Sequence, residues 1–139
     1  MAVDKFGYRY GPRVLLRLPV DSSTTAIDAG DMLTLGTAGY VQKAAANDTI
    51  YAVAAEKVAV PSADGGAYVL ADVSSESVYE YPPDTGSVTA GLLLLTCDAG
   101  GARSINIDAS TDDCLQIVGC DVDANTVLVR LVRIYAGVV

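Results

Sequence analysis

The chain has 139 residues, a length that fits one domain with a core of its own and leaves no need for a second. Apolar residues make up 51% and charged ones 19%, with 13 Gly and 5 Pro dispersed along the chain, which excludes a disordered protein and favours a turn-rich β fold. A formal charge of −8 argues against nucleic acid as a partner, and the absence of histidine excludes Ser-His-Asp and Cys-His nucleophiles and the common zinc sites.

The charge is uneven along the chain. Residues 1–17 hold Lys5, Arg9, Arg13 and Arg17 against Asp4 alone, while the remainder holds 5 basic and 16 acidic side chains. This predicts a basic arm on an acidic body, with an acidic protein surface as the arm's partner and a solvated tail as the plain alternative. Phe6-Gly7-Tyr8-Arg9-Tyr10-Gly11-Pro12-Arg13 alternates aromatic or basic residues with glycine and ends at a proline, which disfavours a helix. An extended arm that lies on something is expected, since Tyr and Arg are enriched at protein interfaces. The same mix suits stacking on single-stranded nucleic acid, which the net charge makes the weaker reading.

Val14, Leu16, Leu18 and Val20 alternate with Arg13, Leu15, Arg17 and Pro19, predicting a half-buried strand with Arg13 and Arg17 on the solvent or partner face. Pro19 marks an edge or a strand end. Residues 1–20 are thus read as arm and first strand, and 21–139 as a single β domain. Strands are expected at Met32–Leu35, Tyr40–Lys43, Ile50–Val60 in one run, Ala67–Val73, Val78–Tyr81, Leu92–Cys97, Arg103–Ile107, Leu115–Gly119 and Thr126–Tyr135, the last being the most β-branched. Glycine, proline and aspartate turns separate them every eight to twelve residues or so, the spacing of a compact sandwich or barrel of short antiparallel strands.

Ala26–Gly39 and Val88–Gly100 both read Ala-Gly, an apolar run, then Ala-Gly, at an offset of 61. The domain is either two similar β units, at about 26–60 and 88–120, or one unit in which a composition rich in Ala, Gly and Asp repeats by chance. Cys97, Cys114 and Cys120 are odd in number and lack CxxC spacing, so small reduced thiols and an intracellular place of folding are expected. No apolar run approaches the eighteen or so residues of a membrane helix, and residues 14–20 are too interrupted for a cleaved signal. A soluble protein with no membrane partner is therefore expected.

Chemistry-bearing groupings are few. Lys43 and Lys57 lie in strand-like context and read as solvated. The carboxylate pairs Asp28 with Asp31, Asp112 with Asp113, and Asp121 with Asp123 all fall in expected turns, where aspartate bonds nearby amides. Asp121, Asp123 and Asn125 begin like a calcium loop, but Thr126 stands where glycine is wanted and Val132 where a bidentate Glu is wanted, so a plain turn is favoured and no metal or cofactor is assigned. No catalytic set emerges, and a non-enzymatic module is expected.

The basic arm followed by AGDMLTLGTAGYVQKAAAND and IYAVAAEKV resembles the small decoration, or cement, proteins of tailed-bacteriophage capsids. The resemblance covers about Ala26–Val60, with a looser echo to Cys120, and rests on a folding pattern rather than on a chemical signature. It implies a β-rich homo-oligomer, most often a trimer, on the outer surface of the virion, binding the major capsid protein and stabilising contacts between its subunits. On that reading the capsid-facing anchors are Phe6, Tyr8, Arg9, Tyr10, Arg13 and Arg17. A different class is a carbohydrate-binding or host-adhesion module with Tyr79 and Tyr81 as exposed platforms; another minor head or tail protein is a third reading.

Overall fold

The computed structural model describes residues 7–36, 38–108 and 114–132. Within them the chain is all-β, with two open antiparallel sheets and a single 3-10 turn at Ala90–Leu92. The strands are β1 (Gly7–Tyr10), β2 (Leu15–Pro19), β3 (Met32–Leu35), β4 (Val41–Lys43), β5 (Ala52–Ala54), β6 (Tyr68–Asp72), β7 (Val78–Tyr81), β8 (Thr96–Ala99), β9 (Ile105–Asn106), β10 (Leu115–Asp121) and β11 (Thr126–Leu131). One sheet runs β2-β6-β5-β3-β4 and the other β1-β7-β11-β10-β8-β9.

Side-chain alternation sets the layers. Val127 and Val129 stand opposite Tyr81 and Tyr79, and Leu115 opposite Leu131, so these side chains share one face of the second sheet. That face is buried against Met32 and Val53 of the first sheet and against Ala44 and Ile50, which flank its strands β4 and β5. The reverse face of the first sheet carries Leu33, Val41, Ala52, Ala54, Val69 and Ala71, closed over by Val20 and Ile27 into a separate core. The first sheet is thus covered on both sides, which is why all three residues of β5 are buried. Each fully buried Val or Leu contributes roughly 1.5–3 kcal/mol. The second sheet leaves its outer face half-open, with Glu80, Gln116, Leu128 and Arg130 partly exposed.

The two sheets repeat one design. Strands β2 to β6 and strands β7 to β11 are hydrogen-bonded in the same order, with β1 added outside β7. Register repeats as well: Thr34–Gln42 and Leu35–Val41 correspond to Asp98–Asn106 and Ala99–Ile105, each residue 64 further on. The parallel bridge Val20–Val41 recurs as Pro83–Ile105, and the bond from Asp21 N to Val41 O recurs from Asp84 N to Ile105 O. Gly36 lies so close to Asp21 that a Cβ would meet Asp21 Oδ2 at 2.3 Å, and its counterpart Gly100 is crowded by Asp84 at 2.8 Å. The pairings therefore follow offsets of 63 and 64, not the 61 of the Ala-Gly echo.

Some expected strands are shorter than their apolar runs. Ile50–Val60 pairs as a strand only at 52–54, because Glu56 Oε1 turns back to accept Leu70 N at 3.0 Å and Val58 bridges to Ile27. Leu92–Leu95 is not a strand; the 3-10 turn leads into Leu94 at φ +71°, and pairing starts at Thr96. In the last run the strand spans Thr126–Leu131, and residues 133–135 lie outside the described residues.

Candidate functional site: the N-terminal edge

The N-terminal segment spans both sheets. β1 pairs with β7 at the edge of the second sheet, and β2 pairs with β6 at the edge of the first, as Pro19 foretold. Between them the chain crosses at Gly11, where φ is +101° and a Cβ would sit 2.3 Å from Glu76 O, so only glycine fits.

Asp72 is the anchor of this crossing. It is fully buried; its Oδ1 accepts Val14 N at 3.1 Å and Ser74 N at 3.0 Å, and its Oδ2 accepts Tyr79 Oη at 2.5 Å, with Arg13 Nε 3.8 Å away. Burial pushes its carboxyl upward, but the bonds from Ser77, Tyr79 and the two amides overcome this and hold it below the usual aspartate value. Tyr79 responds in the opposite sense: burial, then the Asp72 charge it faces, raise its phenol far above the ordinary range, so it remains a donor and not a nucleophile.

The expected arm residues divide into two groups. Tyr8 packs edge-on against Tyr79 at 5.7 Å, donates to Gly11 O at 2.5 Å, and carries the Arg13 guanidinium 4.5 Å above its ring. Arg9 is ion-paired to Glu80 at 2.7 Å, and the same carboxylate accepts the Thr126 hydroxyl. Tyr8, Arg9 and Arg13 are therefore engaged by the chain's own body. Tyr10 and Arg17 remain exposed, and Arg17 makes no ion pair with any described residue. Phe6 lies outside the described residues.

What the segment presents is apolar. Val14, Leu15 and Leu16 are 51%, 41% and 48% exposed, so the expected half-burial of β2 begins only at Leu18. Among the described residues no strand lies beside the outer backbone edge of β2, whereas the corresponding edge of β7 is covered by β1. Hydropathy alternation alone could not reveal this, because a buried and an exposed apolar strand read alike in sequence.

Other expected groups resolve differently. Asp31 is fully buried, paired with Arg103 at 2.5 Å and Lys43 at 3.6 Å, and accepts Asp28 N, so Lys43 is a structural cation and not a solvated one. Asp121 closes the β10–β11 turn by accepting Ala124 N at 3.0 Å, and Asn125 Oδ1 accepts Val88 N at 2.8 Å. Asp123 is exposed, while Asp112 and Asp113 lie outside the described residues. Among the described residues no three His, Cys, Asp or Glu side chains converge on a common point. Tyr79 and Tyr81 are 2% and 1% exposed, stacked at 6.4 Å in the core, and so cannot serve as the glycan platforms expected of them. No disulfide joins the described cysteines; Cys97 and Cys114 are buried and Cys120 is half-buried.

These features define an internally repeated all-β protein with an open, apolar sheet edge. No family model matches the chain, and no curated protein or solved structure does.

Proposed function

We propose that the chain is a non-catalytic structural protein of a virion, which docks on the outer surface of a capsid and stabilises contacts between major capsid subunits. The observation that carries this reading is the outer edge of β2, which no described strand pairs, with Val14, Leu15 and Leu16 exposed beside Arg17. An unpaired strand edge with apolar side chains on both faces favours association with another protein, and a soluble monomer would normally blunt it. Supporting it is the rigidity of the segment: Asp72, Tyr8 and Glu80 hold its N-terminal half in place, so docking costs little ordering entropy. The resemblance to decoration proteins supplies the shell as the partner.

The test is co-sedimentation with heads of the encoding phage that lack this chain. Leu16→Asp and Arg17→Glu alter exposed positions, so the fold is expected to persist while head affinity falls about tenfold or more each. Variants that fold and decorate heads like the parent chain would sink the proposal.

A further inference from the structure

The repeat shows a surface left uncovered at one end of the molecule. In the first unit, the turn Asp28–Asp31 is fixed by bonds from Gly30 N to Ala54 O and from Ala54 N to Asp31 O, both 2.8 Å. The corresponding turn of the second unit, Leu92–Leu95, has the same pair: Leu94 N to Ile117 O at 2.8 Å and Ile117 N to Leu95 O at 2.9 Å. Even the closing bonds agree, from Asp31 N to Asp28 O and from Leu95 N to Leu92 O, each 3.1 Å. The left-handed residue is Gly30 in one and Leu94 in the other, at φ +94° and +71°.

The two turns differ in what lies on them. The first is covered by the β8–β9 turn of the second unit: Ala102 O accepts Met32 N at 2.8 Å, and Arg103 bonds Asp31 and Ala29 O. The second unit's turn presents Leu93, Leu94 and Leu95 at 49%, 65% and 52% exposure. If the units were related by a closed two-fold, the β3–β4 turn would cover those leucines, yet they are exposed and its described residues Ala38 and Gly39 are exposed as well. The relation is head-to-tail, and a head-to-tail contact leaves one unused surface of each kind.

We infer that the Leu93–Leu95 turn is a self-association site whose occupant is the β3–β4 turn, at Ala38 and Gly39, of a second copy of this chain. The residue equivalences argue for this occupant. Ala102 and Arg103 correspond to Ala38 and Gly39, and Asp31 corresponds to Leu95, so the charged pair of the internal contact is replaced on both sides, by leucine and by glycine. Ala38 and Gly39 are themselves exposed. A leucine held at positive φ and 65% exposed contributes strain and little packing to the isolated chain. Its use lies in a contact outside the chain. Repetition of the contact builds a closed ring when the rotation between units closes and an open filament when it does not. The inference stands on the repeat and is independent of the proposal that the chain binds a capsid.

The experiment is sedimentation of the full chain and two exposed-site variants, Leu94→Asp and Ala38→Asp. The parent chain is expected to be an oligomer, each variant alone a monomer, and an equimolar mixture of the two a dimer, because each variant retains the end the other has lost. Leu94→Gly guards against loss of fold: it relieves the left-handed leucine, so its melting temperature should rise while self-association weakens about tenfold or more. A monomeric parent chain at high concentration, an oligomer whose mass neither variant changes, or a mixture that stays monomeric would each overturn the inference. Head decoration is read separately: a monomeric parent that still binds heads would remove this inference alone.

Discussion

At the scale of single residues, the clearest electrostatic dependence belongs to Asp72. Its carboxyl titrates below the ordinary aspartate value in the fold, with burial opposed by the stronger pull of the Ser77 and Tyr79 side chains and the Ser74 and Val14 amides. A group whose folded value is depressed contributes stability that is complete above its unfolded value, near 4, and is lost as pH falls through the folded value. Urea midpoints should therefore decline in the acid limb below about pH 4, and Asp72→Asn should flatten that limb. The same variant should cost about 1–3 kcal/mol at neutral pH, since the charge-assisted bond from Tyr79 weakens inside the fold. An acid limb as steep in Asp72→Asn as in the parent would place the linkage elsewhere. Ser74, Ser77 and Tyr79 lie close to Asp72 in sequence, but its role in fixing the N-terminal crossing was not legible, because Val14 lies 58 residues away and Arg13 on the same distant segment.

At the scale of elements, β1 shows how an apparent arm becomes part of a sheet. Its pairing with β7 is short and has an irregular register between Tyr8 and Tyr10, so side-chain contacts carry much of its attachment. Tyr8 packs on Tyr79 and Arg9 pairs with Glu80, while the Tyr8 bonds to Gly11 O and Arg13 stiffen the segment itself. Tyr8→Ala should therefore lower stability by about 1–2 kcal/mol and raise amide exchange across β1 while leaving β10 and β11 protected. Uniform loss of protection across the whole sheet would contradict this. Strand positions were largely legible from alternation, and β3, β6 and β7 fall where the pattern puts them. Two segments depart for different reasons. In Leu92–Leu95 the apolar run continues while the backbone leaves the sheet at a left-handed leucine, which hydropathy does not register. In Ile50–Val60 the charged pair Glu56-Lys57 interrupts the run, and Glu56 bonds back to Leu70 N where the strand has already ended.

At the scale of the whole molecule, the repeat was only half visible in the sequence, because composition drew attention to Ala-Gly pairs and the geometry follows another signal. Pro19-Val20-Asp21 and Pro82-Pro83-Asp84 share a Pro-x-Asp pattern at offset 63, and each aspartate crowds a glycine that opens a hairpin turn, Gly36 and Gly100. That pattern encodes the parallel bridge and the crossing into the next strand, whereas Ala29-Gly30 and Ala90-Gly91 occupy different places in their units. The exposed β2 edge and the leucine turn were not legible at all, since exposure depends on which neighbour is missing.

The stacking of one unit on the other also decides how the molecule unfolds. The second unit buries its inner face against Met32 and Val53 of the first, Tyr81 donates to Gly30 O at 2.7 Å, and Arg103 reaches across to the buried Asp31. A core shared in this way leaves the second unit without an interior of its own, whereas the first also keeps the core around Val20, Ile27 and Leu33, in contrast to solenoid repeats whose interfaces are small beside each repeat. Removing Arg103 strands a buried carboxylate whose remaining cation, Lys43, is 3.6 Å away, so Arg103→Ala should cost roughly 2–4 kcal/mol. Because the damage falls on the junction, it should lower the stability of both sheets together. Far-ultraviolet dichroism, which reports all strands, and tyrosine signals, weighted toward Tyr79 and Tyr81 in the second sheet, should give coincident urea transitions in the parent and in Arg103→Ala. A first transition in which one signal moves without the other would mean that each unit holds its fold alone, and that the junction joins two independent domains rather than completing one.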